Sequence, residues 1–237
     1  MALRYSLIIP AYNEERLLPR LLDSVEVARA AYAKADAIEI IVADNMSTDR
    51  TVEIARTRGC RVASVEKRVI AAARNGGARV AQGEIVAFID ADSQVHPQTF
   101  VEIDRALATG RCVGGATGVR MERWSLGIAV TYAMIIPMVL LTGMDAGVAF
   151  CRKQDFDALG GYDESLLLAE DVAFLWALRK LGKQRGQRLM RVTRAKAIAS
   201  TRKFDEFGEW HYFRFAGEYL RYGKTRFADK YWYRPTR

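Results

Sequence analysis

Two aspartates, Asp90 and Asp92, stand one residue apart at the end of the apolar run Ile85-Val86-Ala87-Phe88-Ile89. Carboxylates that close repel unless something positive lies between them. A hard divalent cation, Mg²⁺ or Mn²⁺, suits that role, since such ions take one or two carboxylates and complete their shell with substrate phosphates. The apolar run reads as a strand buried under helices on both faces, and open α/β sheets bind ligands in the crevice beyond the strand ends. A plainer reading of the pair is a helix cap and a loop acid ahead of the helix that Pro97 opens. Other polar groups end neighbouring strands. Pro10, Tyr12, Asn13 and Glu14 follow the first, Asp44 follows the second, and Arg74-Asn75 lie on the helix before the fourth. Singly, Asn13 can cap a helix, Asp44 and Ser47 can make a turn, and Arg74 can be a solvated helix residue. Together they hold the parts of a nucleotide site: Asp44 to accept from a base imide N–H, Tyr12 to lie against the ring, Arg74 as a donor, and the Asp pair to hold a metal on the diphosphate.

The elements that must bring these groups together alternate. Apolar strands are expected at Tyr5 to Pro10, Ile38 to Ala43, Arg61 to Val65 and Ile85 to Ile89. Helical patterns lie between and after them, through Leu17 to Val25, from Ser47-Thr48-Asp49 onward, Ala71 to Ala81 and Pro97 to Ala108. Such alternation predicts right-handed βαβ units and a Rossmann-like, doubly wound α/β sheet. The second half is less regular. Cys112 to Met121 reads as a strand, and Trp124 to Met144 is a run of 21 residues without a charge. Its length nominally allows a membrane span. Pro137 interrupts it, and Gly127, Thr131, Thr142 and Gly143 dilute it, so a buried or interfacial helix is the expectation. With no linker or repeat in view, residues 1–200 read as one domain and residues 201–237 as a basic, aromatic-rich tail.

Length and composition agree with one sizeable core: 237 residues, half of them apolar, with five prolines. Cys60, Cys112 and Cys151 are odd in number, far apart and set in apolar surroundings, so they read as reduced core residues of a cytosolic protein. Met1-Ala2-Leu3-Arg4 runs straight into a strand, and no signal peptide is expected. The net charge of +8 calls for an anionic partner: nucleic acid, lipid headgroups or a nucleoside diphosphate. No RNP sequence or Cys/His finger is present, so no nucleic-acid partner is expected. From Thr201 to Arg237 there are nine Lys/Arg against five Asp/Glu, together with half of all the aromatics. That mixture suits a membrane interface or a phosphate lid.

The motifs, in order, resemble those of family 2 glycosyltransferases: Ile8-Ile9-Pro10-Ala11-Tyr12-Asn13-Glu14, Asp44-Asn45-Met46-Ser47-Thr48-Asp49, Ala73-Arg74-Asn75-Gly76-Gly77 and Asp90-Ala91-Asp92. Gly160-Gly161-Tyr162-Asp163-Glu164 with Glu170-Asp171 is similar to that family's acceptor-side motif. The resemblance runs from about Ser6 to Phe174 and implies the GT-A fold, a doubly wound mixed sheet with a C-terminal helical appendage, together with a nucleotide-sugar donor and a divalent metal. It implies that Asp44 recognises the base, that Arg74 and Asp90 contact the nucleotide, that Asp92 ligates the metal and that Asp171 is the catalytic base. The chemistry of Asp171 agrees, because glycosyl transfer needs a base for the acceptor proton and a cation for the departing diphosphate. An alternative for Asp171 is an exposed first-turn acid favoured by the helix dipole. The family's second loop often reads Asp-Asp-Gly-Ser, so Asn45 and Met46 depart from it. The Asp-x-Asp-x-Gln form resembles polyprenyl-phosphate sugar transferases and makes Gln94 a further metal candidate. His211, beside Trp210, is a metal candidate by the same resemblance, or a packed helix residue. Arg202 and Lys203 could close over the diphosphate, with Glu170 on the acceptor side.

The expectation is thus a metal-dependent, inverting transferase that moves a sugar from a UDP- or GDP-sugar to a hydroxyl or phosphate acceptor. The acceptor is lipid or polyprenyl-linked on this reading, and the protein is cytoplasmic and peripheral on the inner face of the membrane. A retaining enzyme of the same fold is an alternative. A non-enzymatic, basic nucleotide- or nucleic-acid-binding module is another, and it leaves Asp92 and Asp171 without a role.

Overall fold

The computed structural model describes residues 3–212. The alternating pattern forms as expected in the first half: β1 (Tyr5–Ala11), α1 (Leu18–Ala30), β2 (Ile38–Asp44), α2 (Thr51–Thr57), β3 (Arg61–Ser64), α3 (Ile70–Val80), β4 (Ile85–Phe88) and α4 (Thr99–Ala108). Then come β5 (Cys112–Met121), α5 (Leu126–Thr142), β6 (Ala149–Arg152), α6 (Lys153–Ala158), α7 (Glu170–Gln184), β7 (Arg188–Ala199) and α8 (Arg202–Phe207). Of the 201–237 tail, residues 213–237 lie outside the described residues.

The seven strands form one sheet in the order β3-β2-β1-β4-β6-β5-β7. β1 pairs in parallel with β2 and β4, and β2 with β3. β6 runs antiparallel to both β4 and β5, so the sheet is mixed. Alternate strand residues face opposite layers. Leu7 and Ile9 of β1 pack in the layer holding Leu18, Leu21, Leu22 and Val25 of α1 and Phe100 and Ile103 of α4. Ile8 packs in the other, with Ala71 and Ala73 of α3 and Phe174, Leu175 and Leu178 of α7. Each fully buried Leu, Ile or Phe contributes about 1.5–3 kcal/mol. The three cysteines are buried and free, as expected of reduced core residues.

Two strands of the second half carry little sequence signal. β6 has four residues, and β7 is an edge strand rich in Arg and Lys along its exposed positions. The charge-free run forms α5, in which only Gly127, Ile128 and Thr131 are buried. No helix among the described residues is long and apolar enough to cross a membrane.

Candidate active site

The strand order puts the C-terminal ends of β1, β2 and β4 side by side, and their loops are fastened to one another. The Asn13 amide donates to Ser47 Oγ (3.0 Å), and the Thr48 amide donates to Asn13 Oδ1 (2.8 Å). The Glu14 amide donates to Thr51 Oγ1 (2.8 Å). Asp44 is buried at the end of β2, its Oδ1 accepting from the Ser47 amide at 3.2 Å. Asn45 turns away from the crevice and donates to the carbonyls of Val65 (3.0 Å) and Lys67 (2.7 Å). A carboxylate has no donor for those carbonyls, which accounts for an amide at this position. Among the described residues three non-glycine residues have left-handed backbone, Asn13, Met46 and Ala169, at φ 53°, 69° and 60°. All three adjoin the crevice loops, where strain of order 1 kcal/mol per residue is tolerated to aim neighbouring side chains.

The Ala73-Arg74-Asn75-Gly76-Gly77 segment lies within α3. A Cβ on Gly76 would lie 2.3 Å from Val65, and one on Gly77 would lie 2.4 Å from Ile8, so α3 needs both glycines to rest on the sheet. Asn75 grips the loop before α7: its Nδ2 donates to the Tyr162 carbonyl (2.9 Å) and to Glu164 (3.0 Å), and its Oδ1 accepts from the Tyr162 amide (2.8 Å). Gly160 and Gly161, both at φ 77°, make the turn that delivers Tyr162 to this grip. Arg74 lies 5.2 Å from the Tyr162 ring centroid and donates to Asp90 (3.0 Å) and to Glu170 (2.6 Å). Burial alone would lower the Arg74 pKa, but Asp90, Tyr162, Glu170 and Asp171 together hold it above its ordinary value. Glu170 is shifted up by burial, with Arg74 opposing. Asp171 follows in the first turn of α7, half-buried, its Oδ1 accepting from the Val172 amide (2.8 Å).

A second cation closes the other side. Arg202 donates to both oxygens of Glu14 (3.0 Å each) and reaches Asp92 Oδ2 at 3.3 Å. Burial raises the Asp92 pKa and the Asp90 charge adds to it, while Arg202 and Lys203 pull it back. Burial raises Glu14 likewise against Arg202, and lowers the Lys203 ammonium against the attraction of Asp92 and Asp90. Gln94 is held by its main chain, which pairs with Ile198 of β7 in both directions at 2.9 Å. His211 is fully buried; its Nδ1 is 2.7 Å from the Gly208 carbonyl, and its ring lies against Phe204 and Tyr212.

The structure thus brings Glu14, Asp92, Arg202 and Lys203 together, and separately Asp90, Arg74 and Glu170, with Asp90 and Asp92 joining the two groups. Pro10 and Tyr12 end β1 beside Asp44. Among the described residues no three His, Cys, Asp or Glu side chains form a cluster able to hold a metal. The two neighbouring carboxylates are an oxygen donor set that fits a hard cation whose remaining ligands come from phosphate. Sequence reasoning missed Arg68, whose guanidinium lies 4.1 Å from the Tyr12 ring centroid. Its one signal was the Lys67-Arg68 pair just ahead of α3. It also missed Asn75 as the clamp on the acceptor-side loop.

A mixed sheet with a polar crevice at the ends of β1, β2 and β4 is an α/β architecture with room for a ligand, and comparison with known proteins gives its class. The family model described as glycosyl transferase family 2 matches residues 6–127, and the chain belongs to that family. Validoxylamine A glucosyltransferase of Streptomyces hygroscopicus subsp. limoneus is 38% identical over 106 residues, covering 39% of this chain and 21% of that protein. Undecaprenyl-phosphate 4-deoxy-4-formamido-L-arabinose transferase of Pseudomonas aeruginosa is 34% identical over 125 residues, covering 50% of this chain and 36% of that one. The chain therefore spans about a fifth to a third of the length of these relatives. The mannosyltransferase PcManGT of Pyrobaculum calidifontis, solved in complex with GDP-Man and Mn²⁺, superimposes with a TM-score of 0.67 at 21% identity, over 96% of this chain and 67% of that one. This likeness shows the fold, which is GT-A.

Proposed function

We propose that this chain is a metal-dependent, inverting glycosyltransferase that takes its sugar from a UDP- or GDP-sugar. The observation that carries the reading is the Arg74 bridge, which ties Asp90 on the nucleotide side to Glu170, the neighbour of Asp171, on the acceptor side. A single rigid group spanning both sides suits a reaction in which donor and acceptor must be aligned. Asp44 accepts from the base imide N–H, and the base ring lies against Tyr12, with Arg68 beside it. Pro10 shapes the end of β1, and Arg74 and Asp90 hold the nucleotide. Arg202 and Lys203 exchange their carboxylate partners Glu14 and Asp92 for the diphosphate as donor binds. Mg²⁺ or Mn²⁺, held by Asp92 with Gln94 and His211 as further candidate ligands, would stabilise the negative charge of the leaving diphosphate. Asp171 takes the proton of an acceptor hydroxyl. The acceptor oxygen then bonds to the anomeric carbon as the bond to the diphosphate oxygen breaks on the opposite face, which inverts the configuration.

A lipid or polyprenyl-linked acceptor is supported by the undecaprenyl-phosphate relative, and the protein then works in the cytoplasm, peripheral on the inner face of the membrane. Calorimetric titration with UDP and with GDP, each with and without Mn²⁺, tests the reading. One nucleotide should bind in a metal-dependent manner, and Asp92→Ala should abolish that dependence. If neither nucleotide binds the wild-type chain, the reading is wrong.

A further inference from the structure

α5 is uncharged along its whole length, and its second half is exposed on every side. Residues 133–138 are exposed consecutively. At about 100° per residue, six successive positions go all the way round a helix. Among the described residues this stretch has no packed face, and the finger stands clear of the body between two anchored ends, with Arg179 donating to the Thr142 carbonyl at 3.3 Å and Met144 buried just beyond. The exposed large side chains include Met134, Ile135, Ile136, Met138, Leu140 (64% exposed) and Leu141 (83% exposed). Its root is anchored by Gly127, where a Cβ would lie 2.7 Å from Glu209, by buried Ile128, and by Tyr132 Oη donating to the Val119 carbonyl at 2.9 Å. The family match ends at residue 127, so nearly all of α5 lies beyond it.

We infer that α5 is a monotopic membrane anchor that inserts into one leaflet of an anionic bilayer. Resting on the lipid-acceptor reading above, this assigns the surface that brings the crevice to such an acceptor. The geometry distinguishes lipid from a protein partner. A second copy or a binding groove covers one stripe of a helix, whereas hydrocarbon surrounds it. The C-terminal end of α5 offers a cation to anionic headgroups. Arg179 donates to the Thr142 carbonyl at 3.3 Å and lies 5.1 Å from the ring of half-exposed Trp176, an aromatic and cationic pair suited to the interface. The nearby Asp145 carboxylate is neutralised by Arg191 at 2.7 Å. Trp124 is half-exposed at the other end and stacks edge-on against Tyr132.

The test is co-sedimentation of the full chain with vesicles of phosphatidylethanolamine and phosphatidylglycerol, and with vesicles of phosphatidylcholine alone. The wild type should pellet with the anionic vesicles, and the double variant Leu140→Ser/Leu141→Ser should lose about tenfold or more of that partition. Val27→Ser, which removes an exposed apolar side chain on α1, should partition like the wild type. Equal pelleting of the wild type and the Leu140/Leu141 variant would overturn the inference. So would a wild type that ignores vesicles and sediments in solution as a dimer that the variant dissociates. The UDP and GDP titrations on the same samples keep the two readings apart: a chain that binds vesicles through α5 but no nucleotide refutes the transferase and leaves the anchor standing.

Discussion

In the crevice, charge is buried. Arg74 and Glu170 side chains are each 11% exposed and Glu14 is 13% exposed, and each stands against an opposite charge. On α5 apolar surface is exposed, and Leu141 keeps 83% of its area in contact with solvent. Both regions reverse the usual partition, for which a water-facing polar group and a covered apolar one are the low-energy arrangement. They are tolerated by different means. The crevice uses internal partners, so that carboxylates shifted upward by burial are drawn back by Arg74, Arg202 and Lys203. On α5 the exposed stretch is carried by its two ends, packed at Ile128 and held at Thr142 by Arg179. A buried ion network makes the crevice expensive to perturb, and the finger should be cheap to alter.

The sharpest break in that comparison is chemical. Asp171→Asn should lower transfer to a hydroxyl acceptor by about 10²–10⁴-fold while UDP or GDP binding by calorimetry stays unchanged. Full turnover in that variant would remove Asp171 from the mechanism. Next comes Arg74→Met, which strands Glu170 with no partner and should cost about 3 kcal/mol in urea unfolding. Adding Glu170→Gln to it should restore part of that loss; strict additivity would mean the two side chains act independently.

A smaller effect concerns pH. The folded-state pKa of Glu14 is raised, so its contribution to stability is fully present below the ordinary glutamate value and is lost as pH rises through the raised one. Glu14→Gln should remove that part of the slope, so that the variant's urea midpoint falls less between acidic and neutral pH than the wild type's. Parallel pH profiles for the two proteins would contradict the assignment. Smallest of all, Leu141→Ser should change stability by less than about 0.5 kcal/mol, in contrast to about 3–5 kcal/mol for Phe100→Ala in the core. A large loss in Leu141→Ser would show that the finger is packed after all.

Much of the crevice was legible because its parts lie at fixed offsets from apolar strands. Asp44, Asp90 and Asp92 follow strands whose period and ends read clearly, and Arg74 precedes the glycines that seat its helix. The partners were not legible. Arg202 meets Glu14 across 188 positions, and Arg74 meets Glu170 across 96. Nothing local in either segment encodes such a pairing. The departure at Asn45 looked like a lost charge, whereas the amide serves two carbonyls of another loop. β6 is too short to show a period, and β7, as an edge strand, carries cations where a central strand carries valine and isoleucine.

By itself, the sequence determined the alternating elements, the order of the crevice motifs, and that residues 124–144 form an apolar helix. Those features follow from local periodicity and turn chemistry. Only the tertiary structure decided that β6 reverses the sheet, that one arginine joins the two sides of the crevice, and that α5 points outward. An all-round apolar helix satisfies the same pattern whether a core or open space surrounds it. Its environment is set by where β5 ends and β6 begins, a long-range property of the sheet.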